Sequence, residues 1–113
     1  MLLLCRASDL DKTSAKSVTI AHQGRSLDIA VVRNHKGIYA YLDVCPHAGT
    51  PLEWQQDRFF DESGTYLMCA THGAQFNVHD GVCISGPCVG DSLTRLPLSV
   101  IDGEVFLNNK VEN

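Results

Sequence analysis

Apolar positions along the chain fall in short runs closed by turn residues. Val18 to Ala21 is a β-branched and apolar run that ends at His22-Gln23-Gly24. Leu27, Ile29 and Val31 alternate with Asp28, Ala30 and Val32, the pattern of a strand with one face buried. Asn34 to Gly37 reads as a turn, and Ile38 to Leu42 as a strand leading into Cys45. Tyr66 to Met68 leads likewise into Cys69, and Phe76 and Val78 precede a turn at His79-Asp80-Gly81. Leu96, Leu98 and Val100 alternate as one strand, Asp102-Gly103 reverses the chain, and Val105 to Leu107 returns. Asp-Gly between apolar runs is a strong hairpin signal. Met1 to Cys5 reads as an opening strand. Helical signal is limited to single turns at Ser8 to Lys12 and Gln55 to Phe60. This spacing predicts an all-β, antiparallel sandwich or barrel-like domain.

The chain has 113 residues, 44% of them hydrophobic, which is enough for one packed domain over 1–113. A formal net charge of −4 argues against a nucleic-acid partner, which would need a basic face to meet phosphates. No apolar run approaches the roughly 20 residues of a membrane span. Met1 to Cys5 has no basic n-region and is too short for an export signal, so a reducing cytoplasmic setting is expected. Five cysteines in that setting point to metal or redox chemistry rather than a disulfide frame.

The chemistry concentrates in Cys45-Pro46-His47 and Cys69-Ala70-Thr71-His72. Each pairs a thiolate with an imidazole at the end of a predicted strand. Four such donors suit a closed tetrahedral zinc or a [2Fe–2S] cluster with two cysteines on one iron and two histidines on the other. Ligand type alone leaves both open. The single residue between Cys45 and His47 is tighter than common zinc-finger spacing, and no helix is available to carry the histidines.

The flanks add a resemblance. Cys45-Pro46-His47-Ala48-Gly49, then Cys69-Ala70-Thr71-His72-Gly73, then Ser85-Gly86-Pro87, is similar to the Rieske family over most of the chain. The resemblance implies stacked antiparallel sheets and a cluster-binding subdomain at roughly 45–86. It implies Cys45, His47, Cys69 and His72 as ligands of a Rieske-type [2Fe–2S] cluster, with Gly86-Pro87 matching a loop that shields it. Gly49 and Gly73 let backbone amides turn toward sulfur without crowding.

Departures from the family pattern bear on potential. High-potential members carry a disulfide between the cluster loops, where this chain has Thr50 and Thr71. They also carry Ser and Tyr hydroxyls that donate to sulfur, where this chain has Ala74 and Phe76. Fewer donors stabilise the reduced cluster less, so a low potential is expected. The 21 residues from Ala48 to Met68 form a longer spacer than ferredoxins of ring-hydroxylating dioxygenases tend to have.

The implied function is a one-electron carrier between a flavoprotein reductase and a terminal oxygenase or reductase, acting as a monomer or as a subunit of a complex. The rivals are a small subunit of a nitrite-reductase-like complex and a redox-sensing module built on Cys83 and Cys88. No residue is assigned a catalytic role. In the spacer, Phe59 or Phe60 is expected in a small core, while Trp54 fits either core or docking surface. Cys83 and Cys88 are expected as buried apolar residues, with a regulatory disulfide as the alternative. Cys5 is expected in a strand. His22, His35 and His79 are expected in exposed turns. Asp57, Asp61 and Glu62 are expected in a solvated loop, with an acidic docking rim as the alternative.

Overall fold

A computed structural model describes residues 1–46, 49–53, 55, 57–69 and 73–108. Its strands are β1 (Leu2–Arg6), β2 (Ala15–His22), β3 (Arg25–Asn34), β4 (Gly37–Leu42), β5 (Leu67–Met68), β6 (Gln75–Phe76), β7 (Cys83–Ser85), β8 (Arg95–Leu96), β9 (Leu98–Ile101) and β10 (Glu104–Leu107). They form three antiparallel sheets, ordered β1-β10-β9, β2-β3-β4-β8 and β5-β6-β7. Local chemistry sets the turns. Asp102 and Gly103 both take positive φ, 51° and 75°, as a tight hairpin between β9 and β10 requires. Asn34 caps the β3–β4 turn, its Oδ1 accepting from Lys36 N at 2.9 Å and Gly37 N at 3.1 Å. The first expected helical turn is a 3-10 turn at Ala7–Leu10, which carries Leu10 into the core.

The middle sheet is covered on both faces. Ile29, Val31, Ala40 and Leu96 pack with Leu4, Leu10, Val105 and Leu107 of the first sheet's layer. Ala30, Val32 and Tyr41, on the other face, pack with Cys45, Leu52, Phe59, Cys69 and Phe76. The expectation that β3 buries only one face therefore fails at Ala30 and Val32, which are fully buried beneath the cysteine-bearing region. Each large apolar side chain buried this way contributes about 1.5–3 kcal/mol.

Other expectations are corrected. The run Leu96, Leu98, Val100 is not one strand, because the chain changes sheets at Pro97: Leu96 pairs with Ala40, whereas Leu98 pairs with Leu107. Proline has no N–H to continue a ladder. Val100 ends up 49% exposed on the edge strand. Gln55 to Phe60 is not a helical turn. Asp57 takes φ 65°, outside the helical region, and Arg58 N closes a tight turn on Gln55 O at 2.9 Å. His22 is half-buried at the end of β2, with its Nε2 enclosed, rather than exposed. His35 and His79 are exposed as expected, and Cys5 lies in β1.

Asp57 and Asp61 are neither a free rim nor merely solvated. Asp57 Oδ1 accepts from Ser17 N at 2.6 Å, its Oδ2 lies 3.7 Å from Lys16 Nζ, and its own N donates to Glu53 at 3.1 Å. Glu53 also accepts from Ser17 Oγ at 3.2 Å. These bonds fasten the spacer to β2. Asp61 accepts from Ser63 Oγ at 2.7 Å and Gln75 Nε2 at 2.8 Å, tying the spacer's far end to β6. Glu62 is exposed.

Candidate metal centre

Strand β4 ends three residues before Cys45, and β5 ends at the residue before Cys69. Both cysteines then open the same kind of loop. Cys45 N donates to Thr50 O at 2.8 Å and Gly49 N to Cys45 O at 2.8 Å. Cys69 N donates to Ala74 O at 2.8 Å and Gly73 N to Cys69 O at 2.9 Å. Gly49 and Gly73 share a φ of 69°, so each loop closes through a left-handed residue that disfavours a side chain. Asn77–Val82 repeats the bonding pattern, with Gly81 at φ 75°. Among the described residues three loops share this bonding, and two of them are opened by a cysteine.

Cys45 and Cys69 are 1% and 0% exposed and belong to one buried cluster with Ala74, Phe76, Cys83 and Cys88. The structure therefore brings the two expected sulfur donors into one region. His47 and His72 lie outside the described residues, as do Thr71 and Trp54. Phe59 is fully buried, and Phe60 packs against the same core. Ala74 and Phe76 are both fully buried, so this layer carries no side-chain hydroxyl at either position.

Three contacts support the site, and only the first, at Gly86, falls in a segment that the sequence had singled out as shielding the cluster. Gly86, at φ 101°, lies so close to Ala74 that a Cβ there would sit 2.8 Å from Ala74 Cα. This seats the 84–87 segment against the residue that follows the second loop's glycine. Tyr41 Oη donates to Val78 O at 2.5 Å, bracing β4 against the third sheet's hairpin. Asp43 accepts from Leu52 N at 2.7 Å across the first loop. Burial pushes the Asp43 carboxyl up to about 6, with the Leu52 N–H opposing and Glu53 adding to the rise. Burial also pushes the Cys88 thiol up, and its hydrogen-bonded neighbour Cys83 adds to this.

The model of the Rieske [2Fe–2S] domain matches residues 1–101. The chain belongs to the Rieske [2Fe–2S] domain family. Its cofactor is accordingly a Rieske-type [2Fe–2S] cluster. A chain in the complex of reduced oxygenase and oxidized ferredoxin of carbazole 1,9a-dioxygenase is 30% identical, with a TM-score of 0.73 over 98% of this chain and 96% of that one. The ferredoxin of carbazole 1,9a-dioxygenase from Nocardioides aromaticivorans IC177 shares the fold at 21% identity, with a TM-score of 0.72 over 96% of this chain and 97% of that one. The Rieske iron-sulfur subunit of the cytochrome bc1 complex from Streptomyces lividans is 31% identical over 70 residues, 61% of this chain. This Rieske chain spans only 38% of that subunit's length. Among the described residues no helix is long and apolar enough to cross a membrane.

Proposed function

We propose that Cys45, His47, Cys69 and His72 hold the cluster and that the chain is a ferredoxin-like carrier of single electrons. It would take them from a flavoprotein reductase and pass them to a terminal oxygenase. The observation that carries this reading is the pair of like-bonded loops, each opened by a buried cysteine and followed at short spacing by a histidine. Two thiolates and two imidazoles are the donor set of a Rieske centre, so the residues fit the cofactor of the family. Bound there, the cluster supplies one reversible electron.

The protein's own residues govern how that electron is held and handed on. Four side-chain ligands saturate both irons and leave no position for a substrate, which favours carriage over catalysis. Ala74 and Phe76 offer no side-chain hydroxyl to donate to sulfur, which supports a potential toward the lower part of the family range, roughly −150 to +300 mV. Val44, Ile84 and Val89 are 46%, 40% and 63% exposed on the segments that flank the cysteine loops. Exposed apolar side chains so placed suit short-lived docking to a redox partner. The 30% identity to a chain of an oxygenase–ferredoxin complex supports the same partner class.

The test is rapid mixing of the purified, cluster-loaded chain with NADH and a flavoprotein reductase, then with an oxidised terminal oxygenase. The reading expects the cluster's visible absorbance to bleach with the reductase and to recover on adding the oxygenase. A cluster that neither partner class addresses would overturn the reading. So would recovery of the chain from its source as a fixed stoichiometric complex with a large flavoprotein, which fits a reductase subunit.

A further inference from the structure

We propose that Cys83 and Cys88 form a reversible disulfide that pins the 84–87 segment against the second cysteine loop. The two thiols are each 2% exposed, and their sulfurs lie 2.9 Å apart. The backbone holds them in register. Cys83 N donates to Asp91 O at 2.9 Å, and Asp91 N donates to Cys88 O at 2.9 Å, so the segment returns alongside β7. Cys83 is fixed from the other side by its pairing with Phe76 in β6. Bringing the sulfurs to bonding distance therefore asks for side-chain rotation and little chain movement.

The bond would close a short ring around Gly86 and Pro87. Gly86 already abuts Ala74, with only 2.8 Å from an added Cβ to Ala74 Cα. A closed ring would keep that seat from opening. The oxidant is a low-molecular-weight disulfide. One protein thiol loses its proton and attacks it, breaking the reagent's S–S bond and releasing one small thiol. The second protein thiol loses its proton and attacks the mixed disulfide, forming the Cys83–Cys88 bond and releasing the second small thiol. The two protons lost by the protein thiols are taken up, through solvent, by the two departing small thiolates. Two protein sulfurs are oxidised and one reagent disulfide is reduced. Because both thiols are buried, exchange waits on opening of the segment and is slow until it opens.

The pairing stands without the cluster, but its effect on the cluster rests on the proposed ligand set. The cluster-loaded chain is incubated with oxidised glutathione, quenched with acid, alkylated under denaturing conditions and mapped by mass spectrometry. The expected result is a disulfide linking Cys83 to Cys88, with Cys5, Cys45 and Cys69 alkylated, and return of all five labels after reduction. Full alkylation throughout, separate glutathione adducts on Cys83 and Cys88, or a bond involving Cys45 or Cys69 instead would each overturn the proposal. Before quenching, iron loss to a chelator is followed by absorbance. The linked form should lose its iron several-fold more slowly than the reduced form, and equal rates would overturn the pinning. In Cys88→Ala and Cys83→Ala the oxidant should leave iron loss unchanged. An oxidant-dependent slowing in either variant would also overturn it. A chain that binds no iron but still forms the bond would locate the failure in the ligand set, not in the pair.

Discussion

Replacing Gly86 with alanine tests how tightly the segment over the second cysteine loop is built. Two costs add at this position. A side chain at φ 101° is strained, at about 1–3 kcal/mol. The new Cβ would also meet Ala74 Cα at 2.8 Å and Ala74 Cβ at 3.0 Å. The first of these is a backbone atom, unable to swing aside, and overpacking of this kind costs about 1–3 kcal/mol. Gly86→Ala is therefore expected to lose about 2–6 kcal/mol. Gly24→Ala is the matched control, because its φ of 77° is also positive but nothing lies within 4 Å of an added Cβ. Only the left-handed strain of about 1–2 kcal/mol applies there. At about 4 °C per kcal/mol for a domain of this size, Gly86→Ala should melt several degrees below Gly24→Ala. Thermal and urea unfolding of both variants, loaded with iron and sulfide in parallel, reads the difference. Equal losses in the two variants would refute the packing argument.

Ala74→Ser combined with Phe76→Tyr should raise the reduction potential, because each hydroxyl can stabilise the reduced cluster. At about 1 kcal/mol per hydrogen bond, and about 59 mV per tenfold for one electron, the gain is some tens of millivolts for each donor. Protein-film voltammetry checks this, and no upward shift would contradict it. Asp57→Ala should cost about 1–3 kcal/mol by leaving Ser17 N without its acceptor, while Asp57→Asn should cost much less because it keeps an oxygen there. Urea midpoints of the two variants separate the cases. Burial raises Cys5 from 9.0 to about 11, with Asp9 adding and Lys16 opposing. The stability tied to its protonated form is full below pH 9 and is lost as pH rises to about 11. Cys5→Ala should therefore show a shallower fall in urea midpoint over that window than the parent chain, and equal slopes would rule this out.

Much of the architecture was legible because its signals are local. Asp102-Gly103 and Asn34 to Gly37 each carry turn chemistry that forces a hairpin, and both hairpins are present. The paired Cys and His motifs led to the family directly, and both cysteines are buried and open loops closed by the same hydrogen bonds. What was not legible depends on partners distant in the chain. Ala30 and Val32 read as outward-facing because no local pattern tells that a second layer will cover them. Asp57 read as a solvated acid because its partners, Ser17 and Lys16, lie some 40 residues away. Pro97 broke an alternation that hydrophobicity alone ran straight through. Gly86 was legible as part of the Gly86-Pro87 loop, but its close approach to Ala74 was not, because that contact is made only in the fold.

The central claim is that Cys45, His47, Cys69 and His72 hold the Rieske-type cluster, and pulsed EPR of the dithionite-reduced chain tests it most directly. The account predicts a [2Fe–2S] signal coupled strongly to two imidazole nitrogens, with one coupling lost in His47→Cys and one in His72→Cys. A signal without nitrogen coupling, or couplings unchanged in both variants, would contradict it.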